Sequence, residues 1–124
     1  MNNRAQTSAN RGRNAEARAA RYLEAQGLRI VERNYRCRWG EIDLIARDGV
    51  TLVFIEVRAR SSNAFGGAAA SITTGKREKL TRTAQHYLAS IRHAPRCRFD
   101  ALLLSGSSDG SGALEWIQDA FSAD

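Results

Sequence analysis

The stretch GEIDLIARDGVTLVFIEVRAR, residues 40–60, decides the fold. Two apolar runs flank Asp48-Gly49, a dipeptide that favours a two-residue β-hairpin turn. Val, Ile, Phe and Leu dominate both runs, as is typical of buried strands. Carboxylates interrupt each run, although burying an ionised group is costly. The sequence therefore predicts a core hairpin that carries a polar site, with Glu41 and Asp43 on the first strand and Glu56 on the second.

The register of this hairpin predicts which charged side chains meet. With the Asp-Gly dipeptide as a two-residue turn, Asp43 faces Phe54 and Glu41 faces Glu56. Side chains alternate along a strand, so the three carboxylates and Arg58 are expected on one face of the sheet. Asp43 and Glu56 become diagonal neighbours, about 7–8 Å apart between Cβ atoms, and could share one divalent cation that relieves their repulsion. The alternative is that Glu41 and Glu56 are exposed near a sheet edge and form salt bridges with Arg58.

Helical periodicity predicts one helix on each side of the hairpin. Residues 12–26 carry an apolar stripe and are followed by Gly27, a residue type that commonly ends helices. Residues 74–92 carry a second stripe. Glu16 lies on the border of the first stripe, where its carboxylate could reach the sheet or could instead pair with Arg13 one turn earlier.

Strand-like runs at residues 28–37, 97–106 and 113–118 accompany the hairpin, and the last is expected at an edge of the sheet. The resulting order, α-β-β-β-α-β with one further strand, predicts an α/β fold in which helices flank a mixed central β-sheet. Residues 1–10 are polar and without periodicity, which predicts a flexible N-terminal tail. Residues 11–124 are expected to form a single domain.

The composition favours a globular protein with a polyanionic partner. The apolar fraction is 43%, and 19 basic residues against 13 acidic ones give a net charge of +6. Such a surplus favours nucleic acid as the partner, and an anionic membrane less often. Neither a signal peptide nor a membrane span is expected, because no apolar run approaches the roughly 18 residues of a span. Cys37 and Cys97 are then expected as reduced thiols in a cytoplasmic protein.

Basic and aromatic side chains supply further candidates for contacts to nucleic acid. The phosphate-binding candidates are Arg60 and three residues at the start of the second predicted helix: Lys76, Arg77 and Lys79. A solvated helix face is the alternative for the helix residues. Trp39 and Phe65 could stack on exposed bases, although core packing is the expectation favoured for Trp39.

Six short motifs along the chain together resemble those of one known family. They are GRNAEARA (residues 12–19), RNYR (33–36), GEIDLIA (40–46), VFIEVRAR (53–60), FGG (65–67) and RFD (98–100). In this order and spacing they resemble the bacterial YraN family of uncharacterised proteins. That resemblance implies membership of the PD-(D/E)xK nuclease superfamily, with a restriction-endonuclease-like fold similar to that of archaeal Holliday-junction resolvases.

The resemblance implies metal-dependent hydrolysis of phosphodiester bonds in DNA, with branched or structured DNA as one substrate class. It places the metal-binding acids on Asp43, Glu56 and Glu16, which would hold Mg²⁺ or Mn²⁺. The lysine of the superfamily motif falls on position 58, which is Arg58 here. Arginine can hold a phosphate but cannot act as a base, so a catalytically inactive module that binds nucleic acid is the alternative. Because the similar resolvases act as dimers, a homodimer is a further expectation.

Overall fold

The computed structural model describes residues 4–60, 73–105 and 112–121. Within these ranges, two helices and five strands follow one another in the order α1 (Arg4–Ala25), β1 (Arg29–Cys37), β2 (Gly40–Asp48), β3 (Thr51–Arg60), α2 (Thr74–Leu88), β4 (Cys97–Ser105) and β5 (Leu114–Phe121). The predicted α/β fold with a mixed central sheet is confirmed.

The sheet has the strand order β1-β2-β3-β4-β5, which follows the chain. Strands β1, β2 and β3 form an antiparallel meander, β4 runs parallel to β3, and β5 returns antiparallel to β4. The parallel step needs a long crossover connection, and α2 lies within it. Strand β5 is at an edge of the sheet, as predicted.

Each face of the sheet carries one helix and one apolar core. On the first face, α1 packs against the strands, and the buried side chains there include Ala19, Leu23, Leu44 and Ile55. On the second face, α2 packs against the strands, and the buried side chains there include Leu80, Ala84, Ile45 and Phe54. Because both faces are covered, an ionisable side chain that points inward from the sheet is desolvated.

Helix α1 begins eight residues before the predicted start and therefore includes most of the segment in which the sequence shows no periodicity. The helix already includes Arg4. Its first turns contain Ala, Arg and Gln, which are good helix formers, but they carry no apolar stripe for periodicity to detect. The end agrees with the prediction: Gly27 has φ 99°, and the Leu28 N–H donates to the Leu23 carbonyl at 3.0 Å. This pairing is a Schellman motif.

Helix α2 begins as predicted and ends four residues early. The Thr73 hydroxyl accepts a hydrogen bond from the Lys76 N–H at 3.3 Å and caps the N-terminus. After Leu88 the backbone tightens, since Ser90 donates to the Tyr87 carbonyl from both its N–H and its hydroxyl. Neither helix, within the ranges described, has the length and apolar character that crossing a membrane requires.

The hairpin between β2 and β3 turns at Gly49-Val50, so the predicted turn at Asp48-Gly49 is wrong. Asp48 pairs with Thr51 and belongs to the strand. Its carboxylate accepts a hydrogen bond from Arg98 of β4 at 2.9 Å, which holds Asp48 in the sheet. The register is displaced by two residues, and Phe54 faces Ile45 instead of Asp43. A displacement of two leaves each side chain on its original face, whereas a displacement of one would reverse them all.

Candidate metal and nucleic-acid site

Asp43 lies where the regular hydrogen-bond ladders around β2 are interrupted. The recorded pairing of β2 with β3 ends at Leu44 and Ile55. On the other side, the pairing of β2 with β1 passes over Asn34, whose φ is 54°. Asparagine tolerates this left-handed conformation better than most residues do. The interruption gives the Asp43 side chain room to point toward the neighbouring strand instead of standing perpendicular to the sheet.

The alternation of side chains along β2 also changes at this point. Ile42 and Ile45 pack in the same core, on the side of α2, whereas Leu44 packs on the side of α1. Ile42 and Ile45 are three positions apart, so on a regular strand their side chains would point to opposite faces of the sheet. Glu41 therefore points to the α1 side and forms a salt bridge with Arg36, at 2.5 Å from Nε to Oε2. The prediction that Glu41 shares a face with the other acids is wrong for this reason.

The Asp43 carboxyl is buried and has two neighbours on β3. Only 8% of the residue is exposed, and Oδ2 accepts a hydrogen bond from the Val57 N–H at 2.8 Å. Burial raises the pKa of Asp43 to about 8, and the Glu56 carboxyl adds to the rise through a hydrogen bond and through charge repulsion. The hydrogen bond from the Val57 N–H lowers the pKa of Asp43 and so offsets part of this rise. Around neutral pH the Asp43 carboxyl therefore retains its proton.

Glu56 also contacts a basic residue from α2. The ammonium Nζ of Lys76 lies 3.4 Å from Oε2 of Glu56, and the side chain of Glu56 is only 12% exposed. Lys76 stands in the first turn of α2, which points this end of the helix at the carboxyl pair. The sequence suggested Lys76 for phosphate contacts. In the structure it lies beside the acids themselves.

Glu16 is near the carboxyl pair but not in contact with it. It is half-buried on α1, and its charge contributes to the raised pKa values of both Asp43 and Arg36. Among the described residues, no three Asp, Glu, His or Cys side chains are close enough to enclose a metal ion. Asp43 and Glu56 are therefore the centre of the site, and Glu16 contributes negative charge from one side.

The remaining basic candidates are Arg58 and Arg60 on β3 and Arg77 and Lys79 on α2. Arg58 is half-buried and follows Glu56 by two residues on β3, which places it on the same face of the strand. The guanidinium of Arg77 lies over the ring of Phe121, with 5.7 Å between its carbon and the ring centroid. Lys79 is exposed on α2. The side chain of Arg60, like all of Phe65, lies outside the described part of the chain.

Trp39 does not pack in the core, contrary to the expectation from sequence. It belongs to the two-residue turn between β1 and β2, and 36% of the residue is exposed. Guanidinium groups of Arg38 and Arg82 lie 4.7 and 5.0 Å from its ring centroid. A tryptophan usually marks a core position. Here Trp39 lies in the turn, and Gly40, which follows it, permits the turn to approach Thr83 of α2 closely.

The RFD motif builds a buried network on β4 instead of a reactive site. Asp100 accepts hydrogen bonds from the Arg98 Nε at 3.0 Å, from the Trp116 indole at 2.9 Å and from the Asp119 N–H at 2.9 Å. Its side chain is fully buried. Arg98 continues the network to Asp48 at 2.9 Å. These contacts join β2, β4 and β5, so the motif contributes to stability.

Sequence comparisons relate the chain to one family along most of its length. The profile described as "Uncharacterised protein family UPF0102" matches residues 15–104. A UPF0102 protein of Methylobacillus flagellatus is 61% identical over 112 residues, which cover 90% of this chain and 96% of the relative. A UPF0102 protein of Dechloromonas aromatica is 58% identical over 118 residues, which cover 95% and 93%. The chain therefore belongs to the UPF0102 family, which is the YraN family of PD-(D/E)xK-like nuclease fold that its motifs resemble.

Proposed function

We propose that the protein is a metal-dependent nuclease that hydrolyses phosphodiester bonds in DNA at Asp43 and Glu56. The observation that carries this proposal is the contact between two carboxyls in a largely buried position, with the pKa of Asp43 raised to about 8. Strongly perturbed carboxyls in contact are costly for stability and are concentrated at functional sites. The family's fold supports the same reading.

The carboxyl pair fits Mg²⁺ or Mn²⁺. Mg²⁺ is commonly held by only one or two carboxylates, with water and substrate phosphate as its remaining ligands, so a third protein carboxylate is not required. A divalent cation would replace the proton of Asp43 and offset the repulsion between the Asp43 and Glu56 carboxylates. Glu16 would add long-range attraction for the cation. When bound, the metal supplies Lewis-acid activation of the phosphate and lowers the pKa of the attacking water.

The chain's own cations have separate tasks in this proposal. Lys76 restrains the Glu56 carboxylate through their contact and brings positive charge to the place where the scissile phosphate would bind. Arg58, on the same face of β3, holds a phosphate oxygen through its planar guanidinium. Neither role requires Arg58 to lose a proton. Hydrolysis therefore does not depend on the lysine that the superfamily motif carries at this position.

A second candidate function is recognition of nucleic acid without cleavage, and the observation that favours it is Arg58 in place of that lysine. Both functions predict binding that weakens as salt increases, because phosphate contacts release counterions. They differ in whether turnover accompanies the binding.

Branched DNA is the substrate class that the similar resolvases suggest, and a homodimer would present two carboxyl sites to the two strands of such a junction.

The direct test is cleavage of labelled duplex, single-stranded, flap and four-way-junction DNA in Mg²⁺, Mn²⁺ or EDTA. We expect the wild type to cut at least one of these substrates with either metal and none in EDTA, since the carboxyl pair alone cannot neutralise the charge that develops on the phosphate. Binding to the same substrates without cleavage in either metal would contradict the nuclease and favour the recognition module. Arg58→Lys would then be the variant to test for recovered cleavage.

Metal binding can be measured without any substrate. We expect Mn²⁺ at about a hundred times its Kd to stabilise the wild type by about 2.7 kcal/mol, which is a rise in Tm of several degrees. Glu56→Gln should lose most of this rise because one of two ligating carboxylates is removed. Glu78→Gln is the matched control, since Glu78 is an exposed glutamate of α2.

An equal Mn²⁺-dependent rise in Glu56→Gln and in the wild type would contradict the metal site. The rise must also be absent with Na⁺ at the same ionic strength, because screening of the surface charge can change stability without a specific site.

A further inference from the structure

A second groove lies beside α2 and is lined by none of the acids of the proposed active site. Its lining residues are Trp39 from the turn between β1 and β2, and Arg82, Gln85 and His86 from α2, and its volume is about 360 Å³. The hydrolysis proposed above assigns it no role.

A close contact between the β1–β2 turn and α2 forms this groove. Gly40 follows the turn with φ 152°, and a Cβ at this position would lie 3.2 Å from the hydroxyl of Thr83. Thr83 is fully buried and donates its hydroxyl hydrogen to the Lys79 carbonyl at 2.7 Å, so it has little freedom to move away. Glycine at position 40 therefore permits the approach that holds Trp39 against the helix.

The side chains of the groove are held in place before any ligand binds. Arg38 and Arg82 hold their guanidinium carbons 4.7 and 5.0 Å from the Trp39 ring centroid. His86 shares a 2.5 Å hydrogen bond with the hydroxyl of Tyr35 from β1, which fixes its ring. The groove thus offers an indole that is about one-third exposed, the guanidinium group of Arg82 and the amide of Gln85.

Positive charge continues from the groove along α2 toward the carboxyl pair. Lys79 and Arg82 are three residues apart, which puts them on one side of the helix. Lys76, which contacts Glu56, lies one turn before Lys79. At 1.5 Å per residue, Arg82 is about 9 Å along the helix from Lys76. A nucleic-acid strand covers that distance in a few nucleotides.

We propose that this groove binds unpaired nucleotides of a nucleic acid, with a base stacked at Trp39 and the backbone phosphates at Arg82 and Lys79. An aromatic face combined with a row of cations is the arrangement by which proteins hold single strands without reading their sequence. Gln85 can hydrogen-bond a base edge or a sugar. The assignment rests on the proposed function only for the class of ligand, because the groove contains none of the residues proposed for hydrolysis.

An acidic protein segment is the competing occupant, since it would also satisfy the cations. It would make no use of the partly exposed indole, over which the two guanidinium groups lie. A polyanion of stacked aromatic bases satisfies both features, and the net charge of +6 suits it.

Binding measured in EDTA tests the groove independently of cleavage. Fluorescein-labelled oligo(dT), oligo(U) and duplex DNA would be titrated with wild-type protein and with Trp39→Ala, Arg82→Ala and Arg21→Ala. Arg21 is an exposed arginine of α1, on the other side of the sheet, and serves as the matched control. We expect Trp39→Ala and Arg82→Ala to weaken single-strand binding about tenfold or more, and Arg21→Ala to change it by less than about twofold. The log–log salt slope should fall by about 0.7 in Arg82→Ala.

Intrinsic fluorescence gives a second readout at the groove itself. Oligo(dT) should quench the wild-type emission and leave that of Trp39→Phe nearly unchanged, because the other tryptophan, Trp116, is tied to the buried Asp100. Trp39→Phe keeps an aromatic ring, so it should bind single strands more tightly than Trp39→Ala does. It also provides a test at this position if the alanine variant folds poorly. The oligo(dT) and oligo(U) titrations show whether DNA or RNA is preferred.

Two outcomes would overturn the groove assignment. In the first, Trp39→Ala and Arg82→Ala bind single strands with the same affinity and the same salt slope as Arg21→Ala. The other is competition by a poly-glutamate peptide as effective as that of oligo(dT) at equal charge. Either would leave metal-dependent cleavage unaffected, just as a failure to cleave would leave these EDTA measurements valid.

Discussion

Asp43→Asn is expected to make the metal-free protein more stable while it removes metal-dependent hydrolysis. The wild type either buries a second negative charge beside Glu56 or retains a proton, and both options cost free energy at alkaline pH. Asparagine keeps a side-chain oxygen that can accept the Val57 N–H and removes the charge. We expect a gain of about 1–3 kcal/mol in the free energy of unfolding at pH 8–9, or several degrees in Tm.

The pH dependence of this gain follows from the direction of the Asp43 pKa. The folded-state pKa is raised to about 8 from an ordinary value of 3.8, so between these pH values the folded protein binds a proton that the unfolded chain has released. Wild-type stability attributable to Asp43 is therefore fully present below about pH 4 and is lost as pH rises to about 8. The Tm difference between Asp43→Asn and wild type should grow across that window and then stay level.

Asp119→Asn is the matched control, because Asp119 is an exposed aspartate at φ 55°, a conformation that asparagine tolerates. It should show no comparable gain. A Tm difference for Asp43→Asn that stays flat from pH 4 to pH 9 would contradict the burial of an ionisable pair. In Mn²⁺ the Tm difference between Asp43→Asn and wild type should shrink, since only the wild type gains stability from the metal. Cleavage by Asp43→Asn should fall on the order of a thousandfold, the loss expected for several kcal/mol of electrostatic stabilisation.

The sequence predicts the central hairpin well because two independent signals agree there. Apolar runs of strand length define β2 and β3, and alternation defines their faces. The turn was misplaced, yet Glu56 and Arg58 keep their predicted face, because the register differs by two residues and not by one. Gly49, with φ 61°, is the residue that needs the left-handed position, but its neighbour in the turn is Val50. Valine is rarely chosen for a turn, and the pattern Asp-Gly is the stronger local signal.

The details that determine the site could not be predicted, because they depend on contacts between distant residues. The left-handed Asn34 on β1 lies beside the interruption at Asp43, and no periodicity reveals it. The placement of the turn that contains Trp39 likewise depends on the fit of Gly40 against Thr83 of α2. Lys76 is placed at Glu56 only when the crossover helix has packed on the sheet. Each case is a tertiary contact that overrides a local expectation.

Asp100→Ala is expected to cause the largest loss of stability of any change considered for this protein. It would leave the Arg98 guanidinium, the Trp116 indole N–H and the Asp119 N–H without their buried acceptor. Arg98 already has one buried nitrogen, Nη2, with no partner among the described residues. Removing one member of a buried ion pair typically costs about 3–5 kcal/mol, because the other charge is left uncompensated. We expect a loss of this size in urea unfolding at pH 7.

Asp48→Ala tests whether the loss of stability in Asp100→Ala comes from the burial of the carboxylate or only from the loss of an ion pair with Arg98. Asp48 bonds to the same Arg98, but its side chain is 42% exposed, so water can replace it. We expect a loss below about 1 kcal/mol for this variant, as for surface ion pairs in general. Both substitutions lie outside the carboxyl site, and neither should change the Mn²⁺-dependent rise in Tm of protein that remains folded. Similar losses of stability in Asp48→Ala and Asp100→Ala would contradict the importance of burial, because the two carboxylates differ in exposure. A loss confined to Asp100→Ala would assign the RFD motif to the joining of β4 with β5 through one fully buried carboxylate.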